Sequence, residues 1–165
     1  MKRYQAPQIR NVVLAGHGGV GKTQLAEAML FATGALSRMG KVDEGNTVSD
    51  WDPEEVKRHI SIGTSLIPCE WKDHKVNVLD TPGYFDFVGE VQGALHAADA
   101  MLCVMCAAAG VEVGTEKAWA MAEEHGIPRA FFVNRMDREN ANFERAVTQL
   151  REMFGNKVVP LQVPI

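Results

Sequence analysis

Short apolar runs alternate along the chain with longer segments in which apolar residues recur at helical spacing. The runs are typical of buried strands, and the longer segments are typical of amphipathic helices. Strands are predicted at residues 11–16, 61–71, 75–80, 100–110 and 128–134, and helices at residues 22–36, 86–100, 114–126 and 139–155. The turn-like sequence KDH predicts a hairpin between the second and third strands. This order predicts an α/β fold, with a mainly parallel sheet, helices on both faces and ligands at the carboxyl ends of the strands.

Two segments interrupt this alternation. Residues 40–59 are polar and contain Gly, Asp and Pro without a sustained period, which predicts a long, mobile loop of the kind that is usually functional or disordered. The final sequence NKVVPLQVPI ends on an apolar run with no capping helix after it. We therefore expect the chain to stop within a larger fold.

Composition sets the broad class. The 165 residues are 46% apolar and 23% charged, which is ordinary for one globular domain. The net charge of −4 provides no basic field for nucleic acid or an anionic membrane, so neither is an expected partner of this chain. No apolar run approaches the ~20 residues of a membrane span. The first apolar run leads into a glycine-rich loop, so a signal peptide is not expected and a cytoplasmic location is.

The three cysteines are Cys69, Cys103 and Cys106. The last two have the C-x-x-C spacing of redox and zinc motifs. They lie in an apolar, strand-like run, where residues three apart point to opposite faces, and no second ligand pair follows. The sequence therefore favours buried packing cysteines over a metal or redox site.

The sequence GHGGVGKT at 16–23 fits the phosphate-loop pattern G-x-x-x-x-G-K-[ST] and lies between a predicted strand and a predicted helix. Glycines allow backbone N–H groups to surround phosphate oxygens at the start of the helix. The lysine of the motif reaches the β- and γ-phosphates, and the threonine offers its hydroxyl to Mg²⁺. The predicted nucleotide-binding residues here are Gly16, His17, Gly18, Gly19, Val20, Gly21, Lys22, Thr23 and Gln24.

The phosphate loop alone leaves the base open. The sequence GGVGKT is also similar to the ATPases of the chromosome-partitioning and arsenite-pump group, which place a lysine where this chain has His17. The sequence NRMD, formed by Asn134, Arg135, Met136 and Asp137, follows the fifth predicted strand and fits N-[KR]-x-D. A carboxylate at Asp137 can accept from two donors of guanine, and adenine has no matching pair on that edge. The NRMD motif therefore predicts guanine, with the Arg135 guanidinium stacked on the base and Asn134 also holding the phosphate loop.

Two further segments resemble the nucleotide-sensing switches of translational GTPases. The sequence KRHISI at 57–62 resembles their RGITI switch, with Ser61 in place of a threonine that completes the Mg²⁺ shell. The sequence DTPGY supplies Asp80, Thr81, Pro82, Gly83 and Tyr84. Asp80 is expected to hold Mg²⁺ through water, and Gly83 can turn its N–H toward the γ-phosphate because it has no Cβ. The predicted metal-binding residues are thus Thr23, Ser61 and Asp80.

These motifs, together with NRMDREN, DFVGEV, GVEVGTEKAW and VVPLQVPI, resemble elongation factor G along nearly the whole chain. The family places an aspartate where this chain has Gly19, a histidine where this chain has Tyr84, and an apolar side chain beside that histidine where this chain has Gly18. Three changes around one catalytic geometry make the chain most similar to the elongation factor G-like paralogues. The resemblance implies a P-loop GTPase core at 1–155 and the start of an inserted subdomain at 156–165. The fifth GTPase motif does not appear by Ile165, so weak guanine-nucleotide binding is expected.

The resulting hypothesis is a Mg²⁺-dependent domain that binds GTP and GDP and hydrolyses GTP, with Lys22 and Tyr84 as its catalytic residues. A phenol is a poor base at neutral pH, so Tyr84 would orient water rather than deprotonate it. The alternatives are a guanine-nucleotide switch with little hydrolysis and, less favoured, a partitioning-type ATPase. A ribosome as partner is implied by the resemblance alone.

Overall fold

The computed structural model describes residues 2–165, which form one five-stranded sheet with helices on both faces. The strands are β1 (Ile9–Ala15), β2 (Ser65–Trp71), β3 (His74–Asp80), β4 (Ala100–Cys106) and β5 (Arg129–Asn134). Their order in the sheet is β2-β3-β1-β4-β5, with β2 antiparallel to β3 and every other pair parallel. Because the central strands are parallel, the carboxyl ends of β1, β3, β4 and β5 meet at one edge, where a ligand site is expected.

The helices are α1 (Lys22–Ala32), α2 (Pro53–Arg58), α3 (Val88–Ala97), α4 (Val113–Glu124) and α5 (Phe143–Phe154). Helix α1 buries Ala26 and Leu30 against one face of the sheet, in a cluster that includes Leu14 and Val78. Helices α3, α4 and α5 cover the other face. The sequence-based prediction of a mainly parallel sheet with helices on both faces is therefore confirmed.

The predicted hairpin is present. Strands β2 and β3 pair from Trp71 opposite His74, and the two residues between them, Lys72 and Asp73, have φ values of 46° and 61°. Positive φ at both central residues is the turn geometry whose twist matches that of the flanking strands.

All three cysteines are free and buried, as the pattern predicted. Cys103 packs into the cluster beneath α3 and α4, whereas Cys106 belongs to a small cluster with Val20 and Val104. The two side chains therefore point to opposite faces of β4, which rules out a bond or a shared metal between them in this fold.

The polar segment 40–59 is more ordered in its local structure than the loop that its composition predicted. It contains a 3₁₀ turn at Val42–Glu44 and helix α2. Asp52 caps α2 by accepting from the Glu54 N–H, and the Glu55 carboxylate returns to the Asp52 N–H. This capping box, with Pro53 at the first helical position, was visible in the sequence although six residues are too few to show a period.

Several predicted bounds were too long for a shared reason. The strand predicted at 61–71 starts at Ser65, and the one predicted at 100–110 ends at Cys106, where the chain turns back through Gly110 at a φ of 81°. The last helix begins at Phe143 after its cap Asn142, whose side chain accepts from the Arg145 N–H. In each case a turn or a cap, and not the apolar pattern, decides where the element begins or ends.

Within residues 2–165, every helix is too short or too polar to cross a membrane.

Candidate nucleotide-binding site

The phosphate loop connects the end of β1 to the start of α1, at the edge where the strands end. Gly19 and Gly21 have φ values of 74° and 94°, which L side chains rarely adopt. Gly21 is also constrained by its neighbours, because a Cβ there would stand 2.6 Å from the Asn134 Nδ2. These two positions require glycine for the loop to keep its curve.

Lys22 is buried, and its Nζ donates to the carbonyl oxygens of Gly16 at 3.2 Å and His17 at 2.9 Å. The ammonium is thus enclosed by its own loop, at the position from which it can reach an anion bound there. Burial lowers the pKa of Lys22 to about 8, and the charge of Asp80 opposes that shift.

A short chain of hydrogen bonds joins the start of α1 to the polar segment. Thr23 Oγ1 lies 3.1 Å from Ser61 Oγ, and Ser61 Oγ donates to Asp50 Oδ1 at 2.8 Å. The single Ser61 hydroxyl proton points to Asp50, so Thr23 must be the donor to Ser61. Burial raises the pKa of Asp50, as do the nearby carboxylates of Glu55 and Glu27, while the Ser61 hydrogen bond and Lys22 lower it.

Asp80 ends β3 and is only 1% exposed. Neither of its carboxylate oxygens has a hydrogen-bond partner among the described residues. Burial raises the pKa of Asp80 to about 6, and the charge of the Lys22 ammonium opposes the rise. A buried carboxylate without a donor is costly, and it needs a cation or a bound water to be satisfied.

The residues present fit Mg²⁺, which prefers hard oxygen ligands. The unpaired oxygens of Asp80 lie near the Thr23 hydroxyl, whose own proton is directed to Ser61. Thr23 therefore presents lone pairs rather than a proton to an incoming ion. Carboxylate and hydroxyl oxygens at one buried place form a donor set for a divalent cation.

The DTPG turn is bonded to β1 and lies close against the phosphate loop. The Thr81 hydroxyl donates to the Leu14 carbonyl at 2.7 Å, and both Thr81 and Pro82 are buried. A Cβ at Gly83 would stand 2.5 Å from the Lys22 Nζ and 2.7 Å from the Gly18 backbone N. Position 83 thus needs glycine because the two loops approach each other so closely.

Tyr84 follows as the residue before a 3₁₀ turn at Phe85–Phe87. Its side chain is 46% exposed, and its ring lies against Gly18 of the phosphate loop. The ring therefore lies at the rim of the loop, and the residue is half-exposed to solvent.

The NRMD residues extend the site at the end of β5. Asn134 Nδ2 donates to the Val20 carbonyl at 2.9 Å, which joins this turn to the phosphate loop. Arg135 takes a φ of 59°, and the Arg138 N–H closes the turn onto the Arg135 carbonyl at 3.2 Å. Asp137 is exposed and Met136 is half-buried, so the Asp137 carboxylate is accessible to a ligand.

Two predicted site residues direct their side chains elsewhere. His17 Nε2 lies 3.6 Å from the Glu112 carboxylate, and the Cα of His17 packs closely on Gly114. Gln24 donates through Nε2 to the Gly40 carbonyl at 2.9 Å. For these two residues, only the backbone remains available to a bound phosphate.

Sequence reasoning did not find three buried carboxylates in the same region: Glu27, Asp50 and Glu55. Glu55 could have been found through its capping box with Asp52. Glu27 and Asp50 gave no signal, because an acidic residue that is buried through loop contacts has no periodicity of its own.

A mainly parallel sheet with a glycine loop after its first strand, an enclosed lysine and the NRMD turn after its last strand defines a P-loop nucleoside-triphosphate-binding domain. A more specific assignment follows from the family model described as "Elongation factor Tu GTP binding domain", which matches residues 7–163. The chain belongs to this family. The resemblance to translational GTPases stated from the motifs is thereby confirmed.

Similar proteins come from bacteria and animals. Elongation factor G 2 of Borreliella afzelii (strain PKo) is 41% identical over 157 residues, covering 95% of this chain and 24% of that protein. The mitochondrial ribosome-releasing factor 2 of Drosophila melanogaster is 42% identical over 164 residues, covering 99% of this chain and 22% of that protein. A crystal structure of a Thermus thermophilus protein aligns with a TM-score of 0.87 and 46% identity, over 90% of this chain and 22% of that one. The chain therefore spans less than a quarter of the length of these proteins.

Proposed function

We propose that this chain binds and hydrolyses GTP as the nucleotide-binding domain of an elongation factor G-like translation factor. The observation that carries the proposal is the unpaired, buried carboxylate of Asp80, which lies beside Lys22 and the Thr23–Ser61 pair within a GTP-binding fold. A buried carboxylate beside a buried ammonium is suited to a phosphate–metal complex rather than to an apolar ligand.

Lys22 would bind the β- and γ-phosphates, exchanging its two carbonyl partners for phosphate oxygens. The glycine-rich backbone from Gly16 to Gly21 would surround the same phosphates with N–H groups. Thr23, Ser61 and Asp80 would hold Mg²⁺, which when bound offsets the charge that develops on the phosphates. Gly83, which contacts both Lys22 and Gly18, would offer its N–H to the γ-phosphate.

Tyr84 would orient the attacking water through its hydroxyl. The ring lies against Gly18 of the phosphate loop and just before the 3₁₀ turn, and the residue is half-exposed, so that its hydroxyl would be reached by a water molecule. A phenol contributes a hydrogen bond to such a water but little basicity at neutral pH. Hydrolysis would therefore depend more on positioning and charge than on proton removal.

The turn after β5 would select guanine. Asp137 is exposed and can accept from the ring N–H and the exocyclic amine of that base. Asn134, already bonded to the phosphate loop, couples the base-binding turn to the phosphate-binding loop. Arg135 and Met136 complete this side of the pocket, with the guanidinium able to stack on the base.

A guanine-nucleotide switch with little hydrolysis is the second candidate. It is favoured by Tyr84, because the ring replaces an imidazole that would also polarise the attacking water. A partitioning-type ATPase is disfavoured by the NRMD sequence, and competition of bound GTP by ATP would be its positive sign.

The ribosome is proposed as the partner because relatives of this chain are named elongation factor G 2 and ribosome-releasing factor 2. The test is single-turnover GTP hydrolysis by the complete protein, with and without ribosomes, in the wild type, Tyr84→His and Tyr84→Phe. The hydrolase hypothesis predicts strong stimulation by ribosomes and a loss of rate in Tyr84→Phe. Tight GTP binding without stimulation, together with a faster Tyr84→His variant, would support the switch instead.

A further inference from the structure

Glu27 lies on α1 one turn after the phosphate loop and is only 1% exposed. Its two carboxylate oxygens accept from different parts of the polar segment: Oε2 from the Gly40 N–H at 2.9 Å and Oε1 from the Val48 N–H at 2.5 Å. It forms no ion pair within residues 2–165. A buried charge that relies on backbone N–H groups for its satisfaction is strongly bound to them.

Gly40 is the point at which the segment docks on α1. Its N–H donates to Glu27 while its carbonyl accepts from Gln24, so both sides of one residue's backbone are held by the same helix. A Cβ at position 40 would stand 2.9 Å from Glu27 Oε2 and 2.6 Å from the Asn46 carbonyl. The absence of a side chain at Gly40 is therefore what allows this close approach.

The stretch between the two anchored amides is compact. The Lys41 N–H donates to the Asn46 side chain at 2.7 Å, and the 3₁₀ turn at Val42–Glu44 lies between them. Val48, the second anchor, is two residues before Asp50, which accepts from Ser61. Fixing Val48 thus leaves little freedom in where the Asp50 carboxylate lies.

The far end of the segment is held in the same manner. Glu55, which is also buried, accepts from the Ile62 N–H at 2.8 Å and the Gly63 N–H at 3.1 Å, directly after Ser61. Two internal carboxylates therefore hold the segment on either side of the Asp50–Ser61 contact. Neither forms a hydrogen bond with Thr23 itself.

We propose that Glu27 is a positioning residue, which holds the segment from Gly40 to Asp50 on α1 so that Asp50 and Ser61 meet Thr23. The inference rests on the proposed function of that site, because Thr23 and Ser61 are its proposed metal ligands. The segment would contribute to the proposed metal ligands and not to the residues proposed to bind the base. Glu27 therefore supports binding of the triphosphate more than binding of the diphosphate. It sets the GTP-over-GDP preference without touching the nucleotide.

The primary variant is Glu27→Gln, which keeps the volume but turns an NH₂ group toward one of the two N–H donors. The matched control is Asp43→Asn, which changes an exposed carboxylate of the same segment that forms no hydrogen bond or ion pair in the part of the chain that the structure describes. Removing a hydrogen bond to a charged group predicts a loss of roughly tenfold or more in GTP affinity with Mg²⁺ present. GDP affinity should stay within about twofold, and the control should match the wild type in both.

Backbone amide exchange in the nucleotide-free chain tests the anchoring separately. Residues 40–50 of Glu27→Gln should lose protection, whereas α3 and β4 should keep it. If Glu27→Gln loses GTP and GDP affinity equally and loses amide protection throughout the chain, the inference is overturned. It is also overturned if the wild type prefers GTP to GDP and Glu27→Gln keeps the same ratio of the two affinities. If the wild type binds neither nucleotide, the proposed function of the site fails, and the exchange pattern still decides whether Glu27 holds the segment.

Gly40→Ala tests the same contact from the loop side, should Glu27→Gln prove too unstable to isolate. The added Cβ displaces the Gly40 N–H from Glu27 without changing the buried charge. The same selective loss of GTP affinity is expected. Wild-type nucleotide ratios and wild-type exchange in Gly40→Ala would contradict the proposal.

Discussion

The ring of Tyr84 lies on the backbone of Gly18, so that a methyl group added at position 18 would stand 3.1 Å from two of its ring carbons. The two residues differ together from the pattern that the resemblance to elongation factor G implies, which has an apolar side chain and a histidine at these places. The contact gives a physical reason, because the phenol ring occupies the volume that a side chain at position 18 would fill. The phosphate loop and the residue after the DTPG turn are therefore one packing unit.

Gly18→Ala should move the Tyr84 ring by a few tenths of an ångström and slow GTP hydrolysis while leaving GDP affinity unchanged. The shift is smaller than the 1 Å displacement that can cost ~10²-fold, so a loss of up to about tenfold is expected. Because Tyr84 is half-exposed and can yield, stability should change by less than about 0.5 kcal/mol. Single-turnover kinetics in the complete protein measure the effect.

Gly89→Ala is the matched control, since a Cβ there meets nothing within 4 Å. It should leave the hydrolysis rate at the wild-type value. If Gly18→Ala also hydrolyses GTP at that value, the Tyr84 ring does not depend on Gly18 for its catalytic position.

Variants at Asn134 and Asp137 should show which of the two side chains stabilises the fold and which one only binds the base. Asn134→Ala removes the hydrogen bond to the Val20 carbonyl and should lower the free energy of unfolding by about 1 kcal/mol even without nucleotide. Asp137→Ala changes an exposed side chain and should leave that free energy within about 0.5 kcal/mol. Both should weaken guanine-nucleotide binding. Urea unfolding and GDP titration distinguish them, and equal destabilisation by the two variants would contradict the assignment.

The cysteines should be unreactive in the folded chain. Burial raises the pKa of Cys103 to about 12 and also raises the pKa of Cys69. At pH 8 a thiol-specific disulfide reagent should therefore react with none of the three until the chain is unfolded, when all three should titrate. Because the Cys103 pKa is above its unfolded value, this group lowers stability as the pH rises above about 9. Fast reaction of the native chain would indicate a redox role for the C-x-x-C pair.

The fold could be predicted from the sequence wherever burial follows a period. The strands that contain Val13, Val78 and Val104 and the helix that buries Ala26 and Leu30 are all apolar on a regular spacing. The phosphate loop and the NRMD turn were predicted because their glycines and polar residues stand in a fixed order after a strand. These are local properties, so they can be read without the tertiary structure.

The carboxylates Glu27 and Asp50 could not be predicted in this way. Each is buried by contacts that the chain makes at long range: Glu27 with amides 13 and 21 residues away, and Asp50 with a hydroxyl 11 residues away. A polar segment that is held by backbone N–H groups looks, in sequence, like a loop without contacts. Helix α2 was missed for the complementary reason, since its evidence lies in caps rather than in apolar spacing.

Asp80 should be the residue at which Mg²⁺ and stability are coupled. Its carboxylate is buried without a hydrogen-bond partner among the described residues, so in the metal-free chain Asp80→Asn should raise the free energy of unfolding by about 1 kcal/mol or more. The same variant should lose the stabilisation that Mg²⁺ with GTP gives to the wild type.

The stability of the metal-free chain should also depend on pH through Asp80. Because the folded pKa of about 6 is above the unfolded value of 3.8, the metal-free wild type should lose stability as the pH rises from about 4 to about 6, and Asp80→Asn should not. Thermal unfolding at pH 5 and pH 7, with and without Mg²⁺, measures all three effects. Mg²⁺ should stabilise the wild type more at pH 7, where the carboxylate is ionised. An Asp80→Asn variant that responds to Mg²⁺ as the wild type does would remove Asp80 from the proposed metal site.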